Sequence, residues 1–484
     1  MTETSLPVLT IEEILSATGG TLVRGDGTRV MKGLSTDSRT IGSGNLFIAL
    51  VGERFDGHEY LRDAVRAGAA GLLVHRRQDA VYTQISPEIP IVFVQDTLRA
   101  LGDIAHFRRR QLTIPVIAVT GSSGKTTTKE MLATIMARKK KVLKSPGNFN
   151  NLIGLPRTLL EVDESHEVAI LEMGTNTKGE IARLTDICAP DIGIITNIGP
   201  AHLEGLGSIA GVREEKGDLF AHMHERGTVV INNDDAEVAI LARRWRGGKI
   251  TFGIRREADV HAEHIVHLTG GKMGFTLSIG SFREAISMSV LGEHNIYNAL
   301  AAAASSRALG IEDDVICTGL KEFAQVNGRM SLYCLNNGVY LIDDTYNANP
   351  ASMREALQTL MRLSEGQTSV VIFGDMLELG NGSEEMHSEI GRQLADTGVD
   401  RIFLMGRFAR AVVAGAHTRG LPDSRVTVVE RSADILANLT ACVPQGGWIL
   451  VKGSRGMKME EITRAIMGQF GHAGCESREG GDRP

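Results

Sequence analysis

Short apolar runs alternate with amphipathic stretches along the whole chain, and their lengths divide it into three α/β blocks. In residues 1–112, "GNLFIAL", "AAGLLVH" and "IPIVFV" predict strands and "EYLRDAVRAGA" a helix, together a small N-terminal α/β domain. "HFRRRQLTIP" closes this block with a basic run and a proline, the pattern of a solvated helix end before a linker. From Pro115 the runs lengthen. "PVIAVTG", "EVAILEMG", "DIGIITNIG" and "GTVVINND" are β-branched, of buried-strand length and separated by helical stretches, which predicts a parallel sheet with crossover helices. This central block, residues 113–327, closes with the alanine-rich helix "IYNALAAAASSRALG" and a further helix ending near Asn327. In residues 328–470, "GVYLIDD", "SVVIFGDM", "RIFLMG", "RVTVV" and "WILVKGS" again alternate with helical segments, predicting a smaller Rossmann-like parallel domain. The tail 471–484, "GHAGCESREGGDRP", lacks apolar periodicity and is expected to be disordered.

Length agrees with this division, since 484 residues suit about three ordinary domains. A hydrophobic content of 42% is ample for large cores, and a net charge of -6 gives no general attraction to nucleic acid or anionic membrane. Small or specific partners are therefore expected, with no nucleic acid among them. The start, "MTETSLPVLTIEEIL", has no basic segment followed by an apolar one, and no stretch approaches the ~18 apolar residues of a membrane span. A cytoplasmic protein without membrane insertion is expected. The five cysteines, Cys188, Cys317, Cys334, Cys442 and Cys475, are scattered and never form a CxxC pair, so they read as reduced and structural. No long exposed apolar stripe announces an interface, and a monomer is the default.

The chemistry concentrates first in "VTGSSGKTTT". Glycines there allow the backbone N–H groups of Gly121, Ser122, Ser123 and Gly124 to turn toward an anion, and the following helix presents its positive end to the same point. Lys125 adds a point charge for terminal phosphates, and Thr126, next to Thr127, offers a hydroxyl to Mg²⁺. Val119 stands where the general motif has its first glycine, so the spacing alone is only moderately specific. The order of strand, loop and helix "KEMLATIMARKKK" supplies the context that phosphate binding needs. Glu172 ends the strand "VAILEMGTN" and His202 follows another in "TNIGPAHLEGLG". In an open parallel sheet both fall at the carboxyl edge, where ligands bind.

The segments "TGSSGKTTTKE", "NFNNLIGLPRTLL", "LEMGTNTKGEIARL", "NIGPAHLEGLGS", "GEHNIYNALAA", "DDTYNANPASM" and "VKGSRGMKME", in this order and spread over nearly the whole chain, resemble the Mur ligase family. The resemblance implies an ATP-dependent ligase that makes an amide through an acyl phosphate. "TYNANP" and "GDMLELG", with no Asp-Asn-Pro-Arg segment, are similar to the branch that adds D-alanyl-D-alanine to UDP-N-acetylmuramoyl-tripeptide, giving the pentapeptide precursor of peptidoglycan. The third residue of the tripeptide, diaminopimelate or lysine, stays open.

By position, the resemblance implies that Lys125 meets the β and γ phosphates, that Thr126 and Glu172 hold one Mg²⁺, and that His202 helps to hold a second. Lys216, fourteen residues after His202, falls at the place of a family lysine that becomes carbamylated. In "GEHNIYN", which supplies His294, Asn295 and Asn298, Asn295 matches a nucleotide contact; Arg329 and Asp344 match residues that meet the nucleotide when the C-terminal domain closes. Ser35, Thr36, Asp37, Ser38, Arg39, Asp56, Gly57 and His58 are implied around the UDP-sugar. Asn148, Asn150, Asn151, Thr175 and Asn176 are implied at the peptide end, and Tyr346, Asn347 and Asn349 at the dipeptide. Another amide ligase of the family, or a phosphate-loop regulatory ATPase that needs no acceptor amine, are the alternatives.

Overall fold

The computed structural model describes residues 9–473. Its N-terminal sheet has the strand order Thr21–Arg24, Ile91–Phe93, Gly71–Val74, Leu46–Ile48, Leu34–Ser35, parallel except for the first strand. The helix expected over "EYLRDAVRAGA" is broken in two, a 3₁₀ turn Gly57–Tyr60 running into Leu61–Arg66, because Asp56 caps the turn through the His58 N–H.

The central sheet has nine strands, ordered Phe282–Met288, Lys272–Ile279, Val260–Leu268, Gly248–Gly253, Thr228–Asn232, Ile192–Ile195, Val116–Thr120, Val168–Glu172, Val142–Lys144. From Val260–Leu268 to Val142–Lys144 all neighbours are parallel. Val116–Thr120 is buried along its whole length, with Ile117 and Val119 in one apolar layer and Val116 and Ala118 in the other, as a strand covered on both faces requires. The last three strands in sequence form an antiparallel extension that the parallel pattern did not predict. Gly270, Gly271 and Gly280, at φ of +71°, +72° and +57°, make the tight turns between them. The alanine-rich helix, Glu293–Ala308, is buried along its alanines and packs on Lys125–Met136, small side chains permitting close approach. The following helix, Asp313–Lys321, ends well before Asn327.

The C-terminal sheet runs Val426–Val428, Arg401–Met405, Ser369–Gly374, Trp448–Lys452, Tyr340–Asp344, Ser331–Leu335, His472–Ala473. Its first five strands are the five expected ones and are parallel; the last two neighbours are antiparallel additions. Pairing of His472 and Ala473 with Leu335 and Cys334 corrects the expectation of disorder at the start of the tail, and residues 474–484 lie outside the described residues. Cys334 is disulfide-bonded, against the expectation of reduced cysteines, while Cys188, Cys317 and Cys442 are free. Among the described residues no helix is long and apolar enough to cross a membrane.

The N-terminal and central sheets are joined by one continuous apolar core. It includes Leu46 and Ile48, then Ile104 and Ala105 of the helix Thr97–Arg109, then Val116, Ala118 and Leu184. Arg109, expected among solvated charges, is buried instead. It donates to the carbonyls of Cys188 (2.9 Å), Ala189 (3.2 Å) and Leu112 (3.2 Å) and to Asp191 Oδ2 (2.9 Å). Arg109→Met is expected to cost about 2 kcal/mol by leaving these acceptors without their charged donor, read as a lower denaturant midpoint and faster proteolysis near residues 110–115.

Candidate active site

The site is organised by the turn between Val116–Thr120 and Lys125–Met136. Gly121 and Gly124 have φ of +149° and +78°, and Cβ atoms there would lie 1.9 Å from Thr196 Oγ1 and 2.2 Å from Asn298 Oδ1. Only glycine satisfies both the conformation and the space. The neighbouring strand end fixes the loop: Ser122 N–H donates to Asn197 O (3.0 Å), Ser123 N–H to Asn197 Oδ1 (3.0 Å), and the Thr196 hydroxyl to Ser123 O (2.6 Å), so these two N–H groups, expected to face an anion, face the neighbouring strand instead. No side chain caps the helix, so its positive end is left for an anion. Lys125 Nζ folds back to Gly121 O at 2.8 Å. Burial pushes its pKa below the ordinary lysine range, with Glu172 opposing and Arg329 reinforcing the shift.

Thr126 lies at the meeting point of the loop and its surroundings. Its hydroxyl donates to Glu172 Oε2 (2.8 Å) and accepts from Arg329 Nη2 (2.7 Å). Glu172, 2% exposed, also accepts from Asn150 Nδ2 at 2.9 Å and has Lys129 Nζ 3.8 Å away. Among the described residues no three His, Cys, Asp or Glu side chains converge on a metal position. The Thr126 hydroxyl and Glu172 carboxylate are nevertheless the oxygen donors that suit a Mg²⁺ completing its shell with phosphate and water.

Lys216, on the helix Ile209–His222, is buried, 1% exposed. Burial and the nearby Lys125 charge hold its pKa well below the ordinary value, against a weaker opposing pull from Glu215. Glu215 cannot pair fully with it, being committed to the N–H groups of Gly179 (2.7 Å) and Ile181 (2.8 Å) and to the Thr175 hydroxyl (3.0 Å).

The C-terminal domain supplies the opposite wall. Arg329 reaches across to Thr126 while its guanidinium lies 4.0 Å from the Tyr346 ring centroid, and its Nε is buried without a partner. Met330, at φ +58°, donates its N–H to Asp344 Oδ1 (3.2 Å); Asp344 Oδ2 pairs with the buried Lys452, whose Nζ also donates to Asn347 O (3.0 Å). His202 and Glu378 both adopt left-handed backbone, φ +52° and +63°, and meet across the domains at 2.7 Å, Nδ1 to Oε2. The bond to His202 lowers the Glu378 pKa. Between the walls is a cavity of about 700 Å³.

Three family models match the chain in order: Mur ligase family, catalytic domain, over residues 30–109; Mur ligase middle domain over 119–306; and Mur ligase, glutamate ligase domain, over 328–455. UDP-N-acetylmuramoyl-tripeptide--D-alanyl-D-alanine ligase of Escherichia coli is 35% identical over 467 residues, covering 95% of this chain and 98% of the relative. The chain belongs to the Mur ligase family. Among solved structures, MurF from Acinetobacter baumannii superposes with a TM-score of 0.87 at 34% identity, covering 96% of this Mur ligase and all of that chain. MurF ligase from Thermotoga maritima in complex with ADP superposes at 0.81 and 27% identity, covering 90% and 97% of the two chains.

In this Mur ligase the cavity gathers most of the residues singled out in the sequence. Ser122 to Thr127, Glu172, His202, Asn295, Asn298, Arg329 and Asp344 line it, as do Asn148, Asn150, Asn151, Thr175, Asn176, Tyr346, Asn347 and Asn349. Several are themselves supports: Asn151 Oδ1 accepts the Gly154 N–H (2.8 Å) at the start of a helix, and Asn298 Nδ2 donates to Asn295 Oδ1 (2.9 Å) behind the phosphate loop. Gly121 and Lys216 do not line the cavity, nor do Ser35, Thr36, Asp37, Ser38, Arg39, Asp56, Gly57 and His58. Asp37 is paired with Arg39, whose hydrogen bonds bring its pKa down to about 2. The buried His58 holds Asp56 at 2.7 Å and accepts the His75 N–H at 3.2 Å, so both are committed to the turn. Sequence reasoning gave no role to Asn197, Glu378, Lys452 or Arg455, although each lies within a segment that drew attention, "TNIG", "GDMLELG" or "VKGSRGMKME".

Gly124→Ala is expected to lower ADP affinity at least tenfold by calorimetry, because the new methyl meets Asn298 and the left-handed backbone is strained. Lys216→Met is expected to stabilise the fold more at pH 7 than at pH 10. The depressed folded-state pKa makes the lysine costly below its ordinary value of 10.5, and that cost disappears as pH rises to this value. Denaturant midpoints in CO₂-free buffer check this, a larger gain at pH 10 being the contrary result.

Proposed function

We propose that this Mur ligase joins D-alanyl-D-alanine to UDP-N-acetylmuramoyl-tripeptide, converting ATP to ADP and phosphate through an acyl phosphate on the tripeptide carboxylate. A single observation carries the reading: one cavity has the phosphate loop and Glu172 on its central wall and Arg329, Asp344 and Tyr346 on its C-terminal wall. Such a site can hold a nucleotide and a separate acceptor side by side. The curated relative and solved structures above support the choice of reaction.

The carboxylate substrate is a poor electrophile, and phosphorylation supplies a leaving group. Lys125, on the phosphate loop, and Arg329, on the C-terminal wall and bonded to Thr126, would stabilise charge on the transferring phosphoryl group. Mg²⁺, when bound, would neutralise phosphate charge, with Thr126 and Glu172 holding one ion and His202 with Lys216 serving a second. An unmodified Lys216 ammonium would repel that ion; a neutral amine, favoured by its burial, can take up CO₂ and become an anionic carbamate. Asn295 and Asn298 support the nucleotide loop, and Asp344 is the ribose contact on the closing domain. Tyr346, Asn347 and Asn349 face the dipeptide, and residues 35–39 and 56–58 the UDP-sugar. The protein works as a cytoplasmic monomer.

The reading is tested by phosphate release with mass detection of products, omitting Mg-ATP, UDP-muramoyl tripeptide and D-Ala-D-Ala in turn. One amide per phosphate, and phosphate only when all three are present, is the expected result; release indifferent to the dipeptide would point to a regulatory ATPase. Lys125→Ala should abolish ATP turnover while leaving UDP-sugar binding within about twofold in calorimetry. Lys216→Ala should reduce turnover at least a hundredfold, and parental turnover would refute the carbamate.

A further inference from the structure

The proposed reaction brings in an acceptor that is a zwitterion, with an ammonium at one end and a carboxylate about 7 Å away in an extended dipeptide. The following assignment rests on that reaction. The C-terminal wall offers three carboxylates to the cavity, Asp344, Glu355 and Glu378. Asp344 is already committed to Lys452 and the Met330 N–H. Glu355 faces His294 at 3.5 Å, beside the start of the Glu293–Ala308 helix. Of the three, Glu378 is the one that reaches His202 on the central wall, at 2.7 Å. Its carboxylate already takes an N–H donor from the imidazole, so an ammonium entering there finds an acceptor held in place.

The cations of the same wall divide in the same way. Lys452 is buried and paired with Asp344, and Arg329 is bonded to Thr126. Arg455 has its side chain 64% exposed, one ion pair to Glu460 at 3.1 Å, and the Tyr346 ring centroid 5.7 Å from its guanidinium carbon. Donors of its planar fork remain open to a carboxylate. The loops carrying Glu378 and Arg455 are tied together: Leu377 N–H donates to Ser454 Oγ (2.9 Å), Ser454 N–H to Asp375 O (3.0 Å), and a Cβ on Gly456 would lie 2.8 Å from Leu377 Cδ1. Each charged residue is the immediate neighbour of a residue in that tie. Their backbones are therefore held next to each other on the same wall of the cavity, one carrying a carboxylate and the other a guanidinium.

We infer that Glu378 receives the ammonium and Arg455 the carboxylate of the incoming dipeptide, so that this pair selects a free, zwitterionic dipeptide as acceptor. The test compares D-alanyl-D-alanine with its C-terminal amide in the full-length protein. The parent should prefer the acid on the order of ten- to a hundredfold in kcat/KM, as a charge-assisted contact predicts. Arg455→Met should lose that factor on the acid and accept acid and amide alike, with Arg455→Lys in between. Glu378→Gln should raise the dipeptide KM at least tenfold while the KM values for ATP and the UDP-linked tripeptide stay within twofold. Because each variant is compared with itself on two acceptors, a general loss of activity does not imitate the effect. Undiminished discrimination in Arg455→Met, or an equal rise of all three KM values in Glu378→Gln, would overturn the assignment. A parent that makes no amide at all would overturn the ligase reading, and the assignment with it.

Discussion

The Thr126 hydroxyl is the point on which the rest of the site depends, because it donates to Glu172 on a central strand and accepts from Arg329 on the far side of the C-terminal boundary. A hydroxyl can do both at once, having one proton and two lone pairs. The phosphate loop, the candidate metal carboxylate and the closing domain are thereby set relative to one oxygen atom. That oxygen keeps its place because the loop before it is locked by two glycines against Thr196 and Asn298, and because the alanine-rich helix bearing Asn298 lies flat on the helix that Thr126 helps to begin.

Opposed charges are distributed so that few are left without an answering group. Lys129 satisfies Glu172 from below, Lys452 satisfies Asp344, and Glu215 holds a helix start instead of neutralising Lys216. Lys216 is the exception. A buried amine near another cation is costly as an ammonium. Such a side chain is suited to chemical modification more than to structural support.

Much of this was legible in the sequence where chemistry coincides with strand ends. Glu172 and His202 could be placed beside the phosphates because a parallel sheet presents the carboxyl ends of its strands at one edge. Arg329 and Asp344 needed the family resemblance, since nothing local says that Arg329, far along the chain, returns to Thr126, or that Asp344 joins the same cavity. Glu378 and Arg455 were hidden for a related reason: each is an ordinary loop charge until two loops of one domain meet. The antiparallel strands Val260–Leu268 and Phe282–Met288 escaped because exposed positions interrupt their apolar ones, and Lys272–Ile279 between them because Lys272, Gly274, Thr276 and Ser278 break its apolar run, unlike the continuous runs of the buried parallel strands. Arg109 looked like a solvated charge because a basic run carries no mark of which member turns inward.

The continuous core beneath the N-terminal and central sheets has a mechanical consequence. Ile104 and Ala105 belong to the core shared by the two sheets, and Arg109 fastens the junction, so separating the first two sheets would open a buried apolar core and break charged hydrogen bonds. In the proposed reaction, a substrate held by its nucleotide end at the N-terminal sheet and by its peptide end near the phosphate loop would span two parts that share this core. Such an arrangement would work as a caliper: a stem peptide one residue too short would leave its carboxylate out of reach of the phosphoryl group, and length would be checked before chemistry begins.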